Sequence, residues 1–214
     1  MASQTRPPLH NSLRVLNSEE IYRNDEWWKA VVRYESAQNN GNNEVAVYLW
    51  HNDDGWTRKN KYVIKTTEAW ETDKAIVEKF FSGHTTECST DEFPVNDYYG
   101  LANGKTIFQS NGWWKAILKI SQKGSYETEE VMIYLWQERD NDWRRRQKYT
   151  IKSQEKWEEE RKIIELVLNS DVNQDVEDSG THRQAQEDES ATYSNRVEQL
   201  CNDMDKHLSD HTMK

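Results

Sequence analysis

The chain has 214 residues, of which 35% are hydrophobic and 31% charged, with a formal net charge of −10 and only two cysteines. No apolar run reaches the roughly 18 residues of a membrane span, no charged-then-apolar leader is evident, and the cysteines are too few for a disulfide scaffold. A soluble, intracellular protein of one domain or two small ones is therefore expected, and the overall acidity argues against a polyanionic partner.

In chain order, residues 1–12 are polar, contain Pro7-Pro8 and read as a flexible N-terminus. A first strand is expected between Leu13 and Tyr22. Trp28, Ala30, Val32 and Tyr34 then alternate with Trp27, Lys29, Val31 and Arg33, which is the period of a strand. Val45, Val47 and Leu49 alternate with Ala46, Tyr48 and Trp50 to give a third. Lys61, Val63 and Lys65 alternate with Tyr62 and Ile64 to give a fourth. Asn39-Asn40-Gly41-Asn42 and Asp53-Asp54-Gly55 supply turns. Trp70, Lys74, Val77 and Phe81 fall at helical spacing, with Thr66 as N-cap and Glu68 in the first turn.

Residues 84–98 form an acidic linker without Lys or Arg, and then the pattern recurs. Ile21-Tyr22, Trp27-Trp28-Lys29-Ala30 and Tyr48-Leu49-Trp50 return as Ile107-Phe108, Trp113-Trp114-Lys115-Ala116 and Tyr134-Leu135-Trp136, at an offset of 86. After one extra residue Trp56, Arg58, Lys61, Tyr62 and Trp70 return as Trp143, Arg145, Lys148, Tyr149 and Trp157. Trp157, Arg161, Ile164 and Leu168 repeat the helical spacing, capped by Ser153. Two copies are too few for a solenoid. The expected fold class is α+β: two tandem ββββα units, 13–83 and 99–169, forming an intramolecular pseudo-dimer. From residue 170 to 214 the chain is acidic and poor in core residues, which predicts a disordered tail. A short helix near 195–208 is expected within it, on Val197, Leu200, Cys201, Met204 and Leu208.

Alternation predicts an apolar, helix-covered face bearing Val45, Val47, Leu49, Tyr62 and Ile64, with Val131, Ile133, Leu135, Tyr149 and Ile151 in the second unit. The opposite face is expected to carry Lys29, Arg33, Tyr48, Trp50, Lys61 and Lys65, and its copy Lys115, Lys119, Tyr134, Trp136, Lys148 and Lys152. The hairpins add Arg58-Lys59 and Arg144-Arg145-Arg146. Cations interleaved with exposed rings suit a single-stranded nucleic acid, neutralising phosphates while the rings stack on unpaired bases. A solvated sheet face would explain one such strand; recurrence in both units favours binding. Regional charge agrees. Residues 103–169 hold 13 basic and 11 acidic residues, whereas residues 170–214 hold 4 and 11, so the acidity lies mostly outside the repeats.

The chain resembles the positive cofactor four family of transcriptional coactivators and its bacterial relatives. The likeness rests on Gly112-Trp113-Trp114-Lys115, the apolar strand ending in Trp136, the basic segments Arg58-Lys59-Asn60-Lys61 and Arg145-Arg146-Gln147-Lys148, and the helix starts Glu68-Ala69-Trp70 and Glu155-Lys156-Trp157. Whirly and PUR proteins share the ββββα plan. The resemblance implies a curved sheet that binds single-stranded DNA, sometimes RNA, with little sequence preference. It also implies units paired through their helices, with Trp70, Phe80, Trp157 and Val167 at the seam. The glycines that flank the family's basic Arg-Lys are missing here. Transcription machinery is a further partner the resemblance suggests.

No phosphate-binding glycine loop, H-E-x-x-H or paired C-x-x-C occurs. Cys201, His207 and His211 lie in the tail, and Cys88 has no candidate base near it in sequence. No catalytic residue, metal site or cofactor is expected. The alternatives are a protein-docking module and, more distantly, a carbohydrate-binding one in which exposed Trp stacks on sugar rings.

Overall fold

Asp54 and Gly55, Asn111 and Gly112, and Asp140 and Asn141 all hold positive φ, which glycine and short polar side chains tolerate, and they close three tight hairpins. The computed structural model describes residues 6–36, 43–83, 92–96, 99–122 and 129–170. Within these, β1 (Leu13–Arg23), β2 (Trp27–Ser36), β3 (Asn43–Asn52) and β4 (Trp56–Ile64) form one antiparallel sheet in sequential order, followed by α1 (Thr67–Phe81). The second sheet runs β5 (Tyr99–Ser110), β6 (Trp113–Gln122), β7 (Glu129–Arg139) and β8 (Asp142–Ile151), followed by α2 (Gln154–Leu168). The expected ββββα order therefore occurs twice. The expected turn at 39–42, the acidic tail and its short helix lie outside the described residues.

The helix starts follow from their caps. Thr66 Oγ1 accepts from the Ala69 amide at 3.1 Å and Ser153 Oγ from the Lys156 amide at 3.2 Å, each satisfying a free first-turn donor. Each helix lies against the sheet of the other repeat: α2 packs on β1, β2 and β3, and α1 on β6 and β7. The central core accordingly mixes both units, with Val31, Val45, Val47, Tyr62 and Ile64 beside Ile133, Tyr149, Ile151, Trp157 and Val167. Trp70 and Trp157 meet with ring centroids 5.5 Å apart, and Tyr62 stacks on Tyr149 at 5.2 Å. The four seam residues expected from the sequence (Trp70, Phe80, Trp157 and Val167) are all buried.

Reciprocal polar contacts fix this exchange. Lys74 Nζ reaches Glu165 at 3.2 Å and Arg161 reaches Glu78 at 2.7 Å, the same pair of positions read in both directions. Strands β4 and β8 are neighbours, and the Val63 amide donates to Gln147 Oε1 at 2.8 Å across that junction.

The outer faces of the sheets, turned away from the helices, have cores of their own. Trp28, Ala30, Val32, Tyr34, Ala46, Tyr48 and Trp50 cluster on the first, with Leu9, Leu13, Val15, Trp56 and Val63 packed against them. Trp114, Ala116, Leu118, Ile120, Met132, Tyr134 and Trp136 cluster on the second, covered by Phe93 and Val95.

Candidate nucleic-acid interface

Register decides which expected site residues share a face. Lys29 pairs with Leu49 and Arg33 with Val45, while Tyr48 pairs with Ala30 and Lys61. Lys29 and Arg33 therefore sit on the helix-covered face, not beside Tyr48 and Trp50 as the sequence suggested. Lys115 and Lys119, opposite Leu135 and Val131, follow them. This corrects the facing of all four. The error arose because both faces of β2 are apolar at alternate positions, so its own pattern cannot say which one the helix covers.

The corrected cations have structural partners. Lys29 donates to Glu160 Oε1 and Oε2 at 2.7 and 2.6 Å, and Tyr149 Oη donates to the same Oε2 at 2.5 Å. In the other unit Lys115 reaches Asp73 Oδ2 at 2.5 Å, and Tyr62 Oη donates to that oxygen too. Burial pushes the Lys29 ammonium below its ordinary value, with Glu160 opposing the shift. The Tyr62 and Tyr149 phenols are held well above theirs, first by burial and then by the adjacent carboxylate, so each remains a proton donor. Arg33 donates to the Val167 and Leu168 carbonyls at 2.7 and 2.9 Å, closing the C-terminal end of α2, where a cation is favoured. Lys119 instead pairs with Glu129 at 2.7 Å.

The aromatic residues lie on the outer faces as expected, but they are not exposed. Tyr48 and Trp50 are each 1% accessible, Tyr134 4% and Trp136 1%. Tyr48 stacks on Trp50 at 5.1 Å and Tyr134 on Trp136 at 4.8 Å, so their rings are occupied by each other. Burial pushes the Tyr48 phenol up to about 12. This corrects the expectation of open stacking platforms. Neighbouring Trp side chains and the segments around Leu9 and Phe93 fill the space a base would need.

The hairpin cations behave differently. Leu49 pairs with Asn60 and Trp50 with Arg58, so Lys59 is the extra residue of a β-bulge; Arg146 is its counterpart between Gln147 and Arg145. Arg58, Lys59, Lys65, Arg144, Arg145, Arg146 and Lys152 are all exposed. Arg144 pairs with exposed Asp140 at 3.2 Å, and Arg146 Nε donates to Gln137 at 3.0 Å. Lys61 and Lys148 are half-buried, and burial lowers both ammonium groups from their ordinary value. Lys61 donates to Tyr34 Oη at 2.7 Å and lies over the Tyr34 ring.

Sequence reasoning missed two clefts where the repeats meet. The larger, about 410 Å³, is lined by Phe108, Trp113 and Lys115 of the second repeat and by Tyr62, Lys65 and Asp73 of the first. The smaller, about 300 Å³, is lined at the equivalent positions by Tyr22, Lys29, Tyr149, Lys152 and Glu160. Among the described residues Tyr22 and Phe108 are the exposed rings, at 41% and 42%. A signal for these clefts exists in the sequence. Asp73 and Glu160 place an acid at the same position of both helices, three residues after the buried Trp, on a stripe that should be apolar.

No protein-family model and no curated protein matches this chain. Among the described residues no group of three or more His, Cys, Asp or Glu is arranged to hold a metal ion, and no helix is long and apolar enough to cross a membrane.

Proposed function

We propose that this chain is a non-enzymatic single-stranded nucleic-acid-binding protein, built as an intramolecular pseudo-dimer on the plan its sequence shares with the positive cofactor four family. The observation that carries the reading is the adjacency of the two basic strands. Because β4 and β8 are neighbours, Lys65 and Lys152, which follow them, each stand in a cleft lined from both repeats. Lys65 shares a cleft with Gln147, and Lys152 shares the other with Asn60.

Phosphate contacts fall to the exposed set: Arg58, Lys59, Lys65, Arg144, Arg145, Arg146 and Lys152. Lys29, Arg33 and Lys115 act instead as braces between the repeats. Stacking passes from the buried outer-face rings to Tyr22 and Phe108, which are exposed beside Lys152 and Lys65. Single strands are favoured over duplex because a ring can stack only on a base that is already unpaired.

The test is a titration of intrinsic Trp fluorescence with single-stranded and duplex DNA at two salt concentrations. Single strands should bind more tightly and lose affinity as salt rises. Replacing Arg58, Lys59, Arg144, Arg145 and Arg146 by Ala should flatten the log–log salt slope by about 0.7 per phosphate contact removed. Absence of binding at low salt, or an unchanged slope in the variant, would refute the reading.

A further inference from the structure

The duplication begins before the first strand of each repeat. Pro7-Pro8-Leu9 and Phe93-Pro94-Val95 stand at the same offset of 86 as the Trp-Trp-Lys-Ala strands. The two straps share one conformation. The Leu9 amide donates to the Pro7 carbonyl at 2.9 Å and the Val95 amide to the Phe93 carbonyl at 2.8 Å, giving three-residue turns centred on Pro8 and Pro94. Their exposure matches position by position: Pro7 and Phe93 are buried, the next two residues half-buried, and the flanking Arg6, His10, Glu92 and Asn96 exposed.

Both straps lie on rings. Leu9 packs against the cluster of Trp28, Tyr34, Tyr48 and Trp50, and Phe93 and Val95 against that of Trp114, Tyr134 and Trp136. Among the described residues no hydrogen bond joins Pro7, Pro8 or Leu9 to the sheet. Proline has no N–H and the turn satisfies the Leu9 amide, so the sheet supplies only apolar contact. The floor of each seat differs in one side chain. A Cβ at Gly104, opposite Leu118, would overlap the Phe93 ring. Ser18, opposite Val32, carries that Cβ in the first sheet, and there the strap starts with the smaller Pro7. Phe93 meets Trp114 at 5.4 Å, whereas the first strap holds no ring.

We propose that the outer face of the first sheet is a docking seat for a partner protein's apolar–Pro–aliphatic segment, which takes the place of Pro7-Pro8-Leu9. The chain's own straps are two examples of the ligand, with different residues in one turn on one kind of seat. Proline-containing segments suit surfaces lined by aromatic rings, where a preformed backbone loses little entropy on docking. Ser18 selects a small first residue. The second seat is held by the Phe93 ring and stays closed. The inference does not depend on the nucleic-acid reading.

The test uses the full chain and a labelled peptide of residues 6–10, acetyl-Arg-Pro-Pro-Leu-His-amide, read by anisotropy. In wild type the tethered strap competes and binding is weak. Pro7→Ser with Leu9→Ser removes the strap's apolar contacts and should tighten peptide binding about tenfold, because apparent affinity rises with the fraction of open seats. A peptide with Ser in place of its first Pro and its Leu should not bind. Glu-Phe-Pro-Val-Asn should bind the double variant about tenfold more weakly than the first peptide, and adding Ser18→Gly should remove that difference. Near-UV circular dichroism checks that the double variant is folded. If it is not, excess peptide added to wild type should shift the indole N–H resonances of Trp28 and Trp50 and leave those of Trp114 and Trp136 in place. No binding by the folded double variant, or no such shift in wild type, overturns the docking seat. An unchanged affinity for the Phe peptide after Ser18→Gly overturns the role of Ser18. Wild-type self-association in sedimentation that the double variant loses gives the seat to a second copy and overturns the partner assignment.

Discussion

The two repeats share a strand order and a helix, yet they solve the same packing problems with different residues. At the brace, the first sheet offers Lys29 to Glu160 and the second offers Lys115 to Asp73. On the outer face, Leu9 packs on the first sheet from outside it, whereas Phe93 and Val95 do so on the second. At the far edge, Arg14 pairs with Glu35 in the first unit, where the second has Gly100 opposite Ser121. Duplication preserves the positions a fold needs and frees the chemistry at each. A cation must face an acid between the repeats, but which acid, and how fully it is used, is open to change.

The largest separation between the repeats should come from the braces. Glu160→Ala strands a buried ammonium and the Tyr149 hydroxyl, and should cost about 3–5 kcal/mol in denaturant unfolding. Asp73→Ala removes an acid with one idle oxygen opposite a slightly more exposed Lys115, and should fall near the lower end, about 3 kcal/mol. Equal losses would show that the idle oxygen of Asp73 has no energetic meaning.

The outer-face covers should separate next. A Cβ added at Gly104 would overlap the Phe93 ring and come within 3.0 Å of Leu118 Cδ2. Gly104→Ala should therefore cost about 1–3 kcal/mol by overpacking. Ser18 holds the equivalent place in the first sheet, where the smaller Pro7 stands at the position of Phe93, and Ser18→Ala should change stability by no more than about 0.5 kcal/mol. A neutral Gly104→Ala would mean that Phe93 is not seated on the sheet in solution.

The smallest effect belongs to the edge pair. Arg14 and Glu35 lie 2.6 Å apart, but the Arg14 side chain is largely exposed, so Arg14→Ala should alter the unfolding midpoint by the equivalent of less than about 1 kcal/mol. A larger loss would give the first repeat an edge restraint that the second lacks.

Much of the fold was legible because its signals are local. Period-two alternation marks the strands, Thr66 and Ser153 mark the helix starts, and the offset of 86 to 87 reveals that one pattern is written twice. The candidate site was legible only in its hairpin cations, whose exposure follows from lying at bulges and turns. Lys29 and Arg33 were misplaced because β2 is buried on both sides, so that its facing depends on cross-strand register with β3. Tyr48 and Trp50 were assigned correctly to the outer face, but their exposure depended on what else covers it. Leu9 and Phe93 reach those faces from segments whose sequence carries no periodic signal.

Taken alone, the sequence determined the number and type of elements, the duplication and the location of most of the acidity outside the repeats. Each follows from contacts between residues close in the chain, or from comparing one stretch with another. Only the tertiary structure decided that each helix crosses to the other sheet, that Lys29 and Lys115 are braces, and that Tyr22 and Phe108 are the open rings among the described residues. Those outcomes join residues more than forty positions apart, such as Asp73 to Lys115 and Lys29 to Glu160. A one-dimensional pattern holds no record of which apolar surface will meet which.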